Sequence, residues 1–241
     1  MRAYNTLVAF GMFLLLACLV PPPAAAASKF YDFAHGMGND FSFYNPTDLF
    51  TLDDTQGELR LSKPADTYSD VLKLARISSR FILLGNFDVK VKYKQYLVLP
   101  EGGQQEFQLY GKKGFTYFIS RSNESWIGGQ NYHVWIGSVA PIPPFATSDT
   151  GGILRFVRQG NDITTYFKSP GAANYTMIYG YSTTSPWVRL GMVLQNQPAS
   201  HAALDAAYDD LDIQADAIVF PGQVPYDLLL LNEPQGSDLF K

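Results

Sequence analysis

Cysteine is almost absent: Cys18 is the only one in 241 residues. That excludes a disulfide framework and a cysteine-ligated zinc cluster. Charge is also sparse. Charged residues make up 17% of the chain, and 18 basic against 22 acidic side chains leave a formal charge of -4. No polybasic surface is available for DNA or RNA, so no nucleic-acid partner is expected. Glutamate is scarce in particular; Glu58, Glu101, Glu106, Glu124 and Glu233 are the full set, and Asp supplies the rest of the acid. Asp favours turns where Glu favours helices. No segment keeps a 3.6-residue apolar period over three turns, so no long helix is expected. Motifs of nucleophilic and metal chemistry are missing as well. There is no Gly-x-Ser-x-Gly elbow and no His-Glu-x-x-His, and His35, His133 and His201 have no ligand spacing. Gly36-Met37-Gly38 lacks the third glycine and the helix of a nucleotide loop.

Aromatics are plentiful at 15%, with 17 Phe and 15 Tyr, and they come with 20 Gly and 15 Pro. Such a chain can bury a core, and its balance favours strands and turns. Residues 1–27 stand apart. Arg2 opens them, Leu7 to Val20 carries no charge, and Pro21-Pro22-Pro23 leads to Ala24-Ala25-Ala26-Ala27-Ser28. This is the pattern of a cleaved secretory signal peptide, too short for a spanning helix of about 20 apolar residues. A second reading is that Leu15-Leu16-Ala17-Cys18 is a lipobox-like segment lipidated at Cys18, the one route to a membrane anchor. Either way the domain is expected outside the cytoplasm, secreted or periplasmic.

From residue 28 to 216 the chain reads as one domain of short strands, followed by a Pro- and Leu-containing tail over 217–241. In Phe87-Asp88-Val89-Lys90-Val91-Lys92-Tyr93-Lys94 the apolar and charged residues alternate, which marks a strand with one wet face. Its lysines are read as a solvated face that also blocks stray pairing. Further strands are expected over 58–61, 106–110, 115–119, 132–139, 175–181, 188–194 and 208–213. Leu154 to Arg158 and Ile163 to Phe167 flank Gly160-Asn161 as a hairpin. Short strands between turn signals predict an all-β sandwich or barrel.

Several segments, taken in order, resemble the concanavalin A-like lectin/glucanase superfamily, and within it the laminin-G-like bacterial secreted sandwiches. They are Tyr31-Asp32-Phe33, Gly57-Glu58-Leu59-Arg60-Leu61, Gly85-Asn86-Phe87-Asp88-Val89-Lys90-Val91, the hairpin from Leu154 to Tyr166, Val188-Arg189-Leu190-Gly191-Met192 and Ala207-Tyr208-Asp209-Asp210-Leu211-Asp212-Ile213. The resemblance covers residues 30 to 215. It implies a two-sheet antiparallel jelly-roll sandwich with neighbouring first and last strands. Residues 120–150 match nothing in the pattern. Glucanases of this fold present Glu-x-Asp-x-x-Glu on one strand, and none of the five Glu has an Asp two places on. That mechanism is disfavoured, with Glu106 and Glu124 left as the weak alternative catalytic pair.

The unmatched window holds the candidate ligand-binding residues. Trp126, Tyr132 and Trp135 would stack on sugar rings, and Arg121, Gln130 and Asn131 would read hydroxyls. Ordinary core and rim packing is the competing account of these aromatics. Asp32, Asp209 and Asp210 form a candidate structural calcium site, against which stands their usual role in turns. No other cofactor is expected. The resemblance thus implies an exported, non-catalytic binding module for carbohydrate or a cell-surface glycan. The alternatives are a divergent glycoside hydrolase or lyase and a structural envelope protein. An analogy of fold alone leaves the choice between them open.

Overall fold

The computed structural model describes residues 26–67, 71–137, 144–220 and 222–223. Residues 1–25 of the export segment, Cys18 among them, and the tail from 224 onward lie outside the described residues. Fifteen strands run through the described residues: β1 (Ala27–Tyr31), β2 (Phe41–Tyr44), β3 (Thr51–Asp53), β4 (Leu59–Lys63), β5 (Lys73–Ser79), β6 (Ile82–Gln95), β7 (Gly103–Gly111), β8 (Thr116–Glu124), β9 (Gly129–Ile136), β10 (Phe145–Ala146), β11 (Gly151–Gln159), β12 (Asp162–Lys168), β13 (Thr176–Ser182), β14 (Trp187–Asn196) and β15 (Leu204–Val219). The helices among the described residues are single 3-10 turns of three residues.

The strands form two antiparallel layers. One runs β10-β9-β8-β7-β14-β5-β2; the other runs from β4 through β15, β6, β11 and β12 to β13, with β3 beyond β4 and β1 beside β15. The start of β6 joins the layers, since Leu83 and Leu84 pair with Val188 and Trp187 of β14. The layers meet through aromatic rings. Phe107 of β7 lies 5.3 Å from Phe156 of β11, and Tyr132 of β9 stacks 4.1 Å from Phe167 of β12. This is the expected two-sheet antiparallel sandwich, and β1 pairs with β15 as first and last strand.

Period-two patterning explains most of the strands. Along β6, Phe87, Val89, Val91 and Tyr93 are buried, while Asp88, Lys90, Lys92 and Lys94 face outward. The role expected of those lysines needs correction. β6 is an inner strand, paired on both edges with β11 and β15, so it has no edge to protect. Lys90 pairs instead with Asp212 at 2.9 Å, Lys92 pairs with Asp210, and Asp88 receives two bonds from Arg155. The hairpin turns at Gly160-Asn161 as expected, with Gln159 opposite Asp162. Gly160 has φ of +62°, a value the first central residue of such a turn needs and glycine supplies without strain.

The Asp cluster on β15 also has a backbone explanation. Register slips between Asp209 and Asp212, and Asp210 sits at φ of +46°, so the cluster is a β-bulge. Asp is among the few residues that visit that conformation, and here the Asp210 N–H also donates to Asp209 Oδ1 at 2.7 Å. Asp32 accepts the Ala34 N–H at 3.0 Å. Among the described residues no group of three His, Cys, Asp or Glu is arranged to hold a metal.

Candidate functional site

The functional candidates lie on the seven-stranded layer, where alternation gives each strand an inner and an outer face. Inner residues such as Phe107, Leu109, Tyr117, Ile119 and Val134 join the core. The outer face is polar. From β7 it takes Gln104, Glu106, Gln108 and Tyr110; from β14, Val193, Gln195 and then Gln197; from β9, His133 and Trp135. These line a cavity of about 630 Å³, within the range of ~300–1,000 Å³ usual for small-molecule sites.

Cross-strand register assembles the floor. Gln195 of β14 stands opposite Gln104 of β7, and Val193 opposite Glu106. Gln195 Nε2 donates to Gln104 Oε1 at 2.8 Å and to Glu106 Oε1 at 2.7 Å. Gln104 Nε2 donates to Glu124 Oε1 at 2.6 Å, and Gln108 Nε2 donates to Glu106 Oε2. Glu106 and Glu124, the weak alternative pair, therefore lie in one cavity with only two amides between them. From behind, the Tyr208 hydroxyl of the opposite layer bonds the carbonyls of Glu106 at 2.8 Å and Val193 at 2.6 Å, fixing the strands that carry the floor. Gly191 makes room for Tyr110: a Cβ there would stand 2.5 Å from the Tyr110 ring.

The wall is aromatic. β8 ends in a 3-10 turn, Ser125–Ile127, which lifts Trp126 to 60% exposure. The turn closes through Gly128 and Gly129 at φ of +94° and +82°, a pair of left-handed residues for which glycine is the low-strain choice. Trp126 meets Trp135 edge to face at 6.2 Å, and Trp135 stacks on Phe118 at 6.3 Å. A row of rings thus borders the amide floor.

The window 120–150 therefore divides by face. Trp126 and Trp135 line the cavity. Asn131, on the same face as His133, is buried and orients it: its Nδ2 donates to Gly129 O, so its Oδ1 is the acceptor that lies 3.0 Å from His133 Nδ1. Nδ1 then carries the proton and Nε2 stays an acceptor. The other three candidates turn away. Arg121 and Tyr132 are 0% exposed on the inner face. Arg121 donates to the carbonyls of Asp149 at 2.9 Å, Ser122 at 2.8 Å and Thr147 at 3.5 Å. Tyr132 donates to Asp149 Oδ2 at 2.9 Å and meets the Tyr93 hydroxyl. Gln130 Nε2 donates to Leu99 O at 2.9 Å. These contacts hold the β6–β7 and β10–β11 connections to the sheet. Sequence reasoning missed Gln104, Gln108, Gln195, Gln197 and His133. The one available signal was a strand whose polar face is amide rather than charge, as in Gln104, Glu106 and Gln108.

Burial favours the neutral forms of the ionisable groups in the floor. Burial pushes the Glu106 carboxyl up to about 8, against the Gln108 bond and with some help from Glu124. Burial also raises Glu124, against the bonds from Gln104 and Gln197 and the nearby Trp126 indole. Burial pushes His133 down to about 4. Between pH 4.5 and about 8 the unfolded chain has released the Glu106 proton and the folded chain has kept it, so stability falls as pH rises. His133 acts oppositely between about 4 and 6.5, where only the unfolded chain binds its proton. Above 6.5 the Glu106 slope stands without that opposition. Glu106→Gln is expected to flatten the loss of stability between pH 6.5 and 8, read as urea midpoints. A variant with the wild-type slope would contradict the buried, protonated Glu106.

No protein-family model matches the sequence, and no curated protein matches it. Solved structures do match the fold. A xylan beta-1,4-xylosidase from Bacillus halodurans is 14% identical with a TM-score of 0.59; the match covers 81% of this chain and 41% of that one, so the chain spans about two-fifths of that enzyme. The winged bean acidic lectin complexed with methyl-alpha-D-galactose is 11% identical with a TM-score of 0.57, covering 80% of this chain and 99% of that one. Lectin II from Ulex europaeus is 10% identical with a TM-score of 0.55, covering 79% and 99%. Two antiparallel layers, adjacent first and last strands and this set of neighbours together give the chain the concanavalin A-like β-sandwich fold.

Proposed function

We propose that the chain is a non-catalytic carbohydrate-binding module that meets its ligand outside the cell, in the cavity on the outer face of the seven-stranded layer. The observation that carries this reading is an amide-rich floor beside a wall of Trp126 and Trp135. A sugar ring has an apolar C–H face and a rim of hydroxyls. Stacking on an indole removes the apolar face from water, and Gln amides and carboxyl groups match the hydroxyls as donors and acceptors. Lectins crystallised with galactose or its methyl glycoside among the fold's neighbours support the reading, as does the signal-like start of the sequence.

A glycoside hydrolase is the second reading, favoured by Glu106 and Glu124 in one cavity. Hydrolysis needs one protonated and one ionised carboxyl. Here Glu106 is 0% exposed and both its oxygens already accept bonds from Gln195 and Gln108, which leaves neither free for a glycosidic oxygen. Binding without cleavage fits these groups better. The full chain incubated with cellulose, xylan and β-glucan is expected to be retained by at least one of them and to release no reducing ends. Retention by none would overturn the module, and release that disappears in Glu124→Gln would establish the hydrolase instead.

A further inference from the structure

The cavity does not end at Trp126. A second cavity of about 690 Å³ lies beyond it, walled by Glu101 and Gly102 between β6 and β7 and by Ala199, Ser200 and His201 between β14 and β15. Glu124, Trp126 and Gln197 line both cavities and form a shared sill.

That sill has an unmet hydrogen-bonding group. Glu124 is 1% exposed. Its Oε1 accepts from Gln104 at 2.6 Å and from Gln197 at 3.1 Å, while its Oε2 has no hydrogen-bond partner of good geometry. A buried polar atom left this way costs free energy until a donor arrives. The far wall, by contrast, is braced. Lys73, 0% exposed, donates to the carbonyls of Pro198 at 3.0 Å and Ser200 at 2.8 Å and pairs with Asp66 at 3.3 Å. Glu101 accepts the Ser125 N–H at 2.7 Å, tying the Trp126 turn to the same rim. The second cavity is thus built as firmly as the first.

We infer that the groove takes a linear chain of uncharged sugars that crosses the sill between Glu124 and Trp126 into the second cavity, with Glu124 Oε2 accepting a hydroxyl of the unit at the crossing. This rests on the carbohydrate reading above and adds the length and class of the ligand. Each cavity alone falls in the range of ~300–1,000 Å³ that holds a drug-sized ligand, so the two in series suit several rings rather than one. The absence of charge follows from the lining. On the rim of the second cavity the bonds from Ser125 hold the Glu101 carboxyl below the usual range, so it stays ionised and disfavours an acidic sugar. Among the described residues, Arg76 is the one Lys or Arg side chain lining either cavity, and its guanidinium lies 5.1 Å from the rings of both Tyr44 and Tyr110, on β5 and away from the sill.

Calorimetric titration of the full chain with cello- and xylo-oligosaccharides of two to six units, and with galacturonate oligomers of the same lengths, tests this. In a neutral series that binds, Kd is expected to fall at least tenfold from dimer to hexamer, with no binding of the galacturonates. Ala199 is exposed on the wall of the second cavity. Ala199→Trp, which fills that cavity, is expected to return the hexamer to the dimer's affinity. Equal affinity across all lengths, an unchanged hexamer affinity in Ala199→Trp, or binding of the galacturonates would each overturn the extended-chain inference while leaving a sugar site intact. Binding of no neutral oligomer would overturn the carbohydrate reading itself, and this inference with it.

Discussion

Trp126→Ala is expected to weaken glycan binding by about 30-fold or more, the loss typical of an aromatic anchor worth 2 kcal/mol or above. The ring is 60% exposed and sits on a turn outside the two layers. Its removal opens no core cavity, so the thermal midpoint should stay within about 2 °C of the wild-type value. Isothermal titration beside a melting curve checks both halves. Loss of binding with a matching loss of stability would mean that the turn, rather than the indole, had been damaged. Full affinity retained would remove the aromatic wall from the account.

Arg121→Ala is expected to do the reverse. Five residues away in sequence, Arg121 lies on the inner face and serves three main-chain carbonyls. Alanine leaves those carbonyls without their donor and a void where a large side chain was packed. Large losses of this kind run to about 3–5 kcal/mol, or roughly 10 °C for a domain of this size. At a temperature where the variant is still folded, glycan affinity should remain close to wild type. An Arg121→Ala protein that melts normally but no longer binds sugar would restore Arg121 to the ligand site and contradict the face assignment.

The contrast between these residues shows what was legible in the chain. Strands with one wet face declare themselves, as Phe87 to Lys94 does, and so does a hairpin turning on Gly160-Asn161. Those features sufficed for a sandwich with neighbouring ends. β8 and β9 are harder. Both of their faces are closed to solvent over much of their length, and polar residues occur on each: Ser120 and Ser122 outward, Arg121 inward. Without a hydrophobic period the window showed its aromatics and its arginine but not which way each pointed.

The amide floor was hidden for another reason. Gln104 and Gln195 are cross-strand partners though 91 positions apart, so their contact exists only once β7 and β14 pair. The lysines of β6 mark a similar limit. Alternating charge reports a wet face, but a wet face occurs on inner and edge strands alike, and only the pairing with β11 and β15 decides between them.

The central claim is that the outer face of the seven-stranded layer, between the amide floor and the indole wall, is where sugar binds. The chain carries three tryptophans, and they divide usefully: Trp126 and Trp135 line the cavity, while Trp187, 6% exposed, does not. Titrating a neutral hexasaccharide that the protein retains, and following the three indole N–H signals by two-dimensional NMR, reads the site directly. The signals of Trp126 and Trp135 are expected to move in step with binding while Trp187 stays in place. Movement of Trp187 with the other two unmoved would put the ligand elsewhere on the molecule and contradict the account.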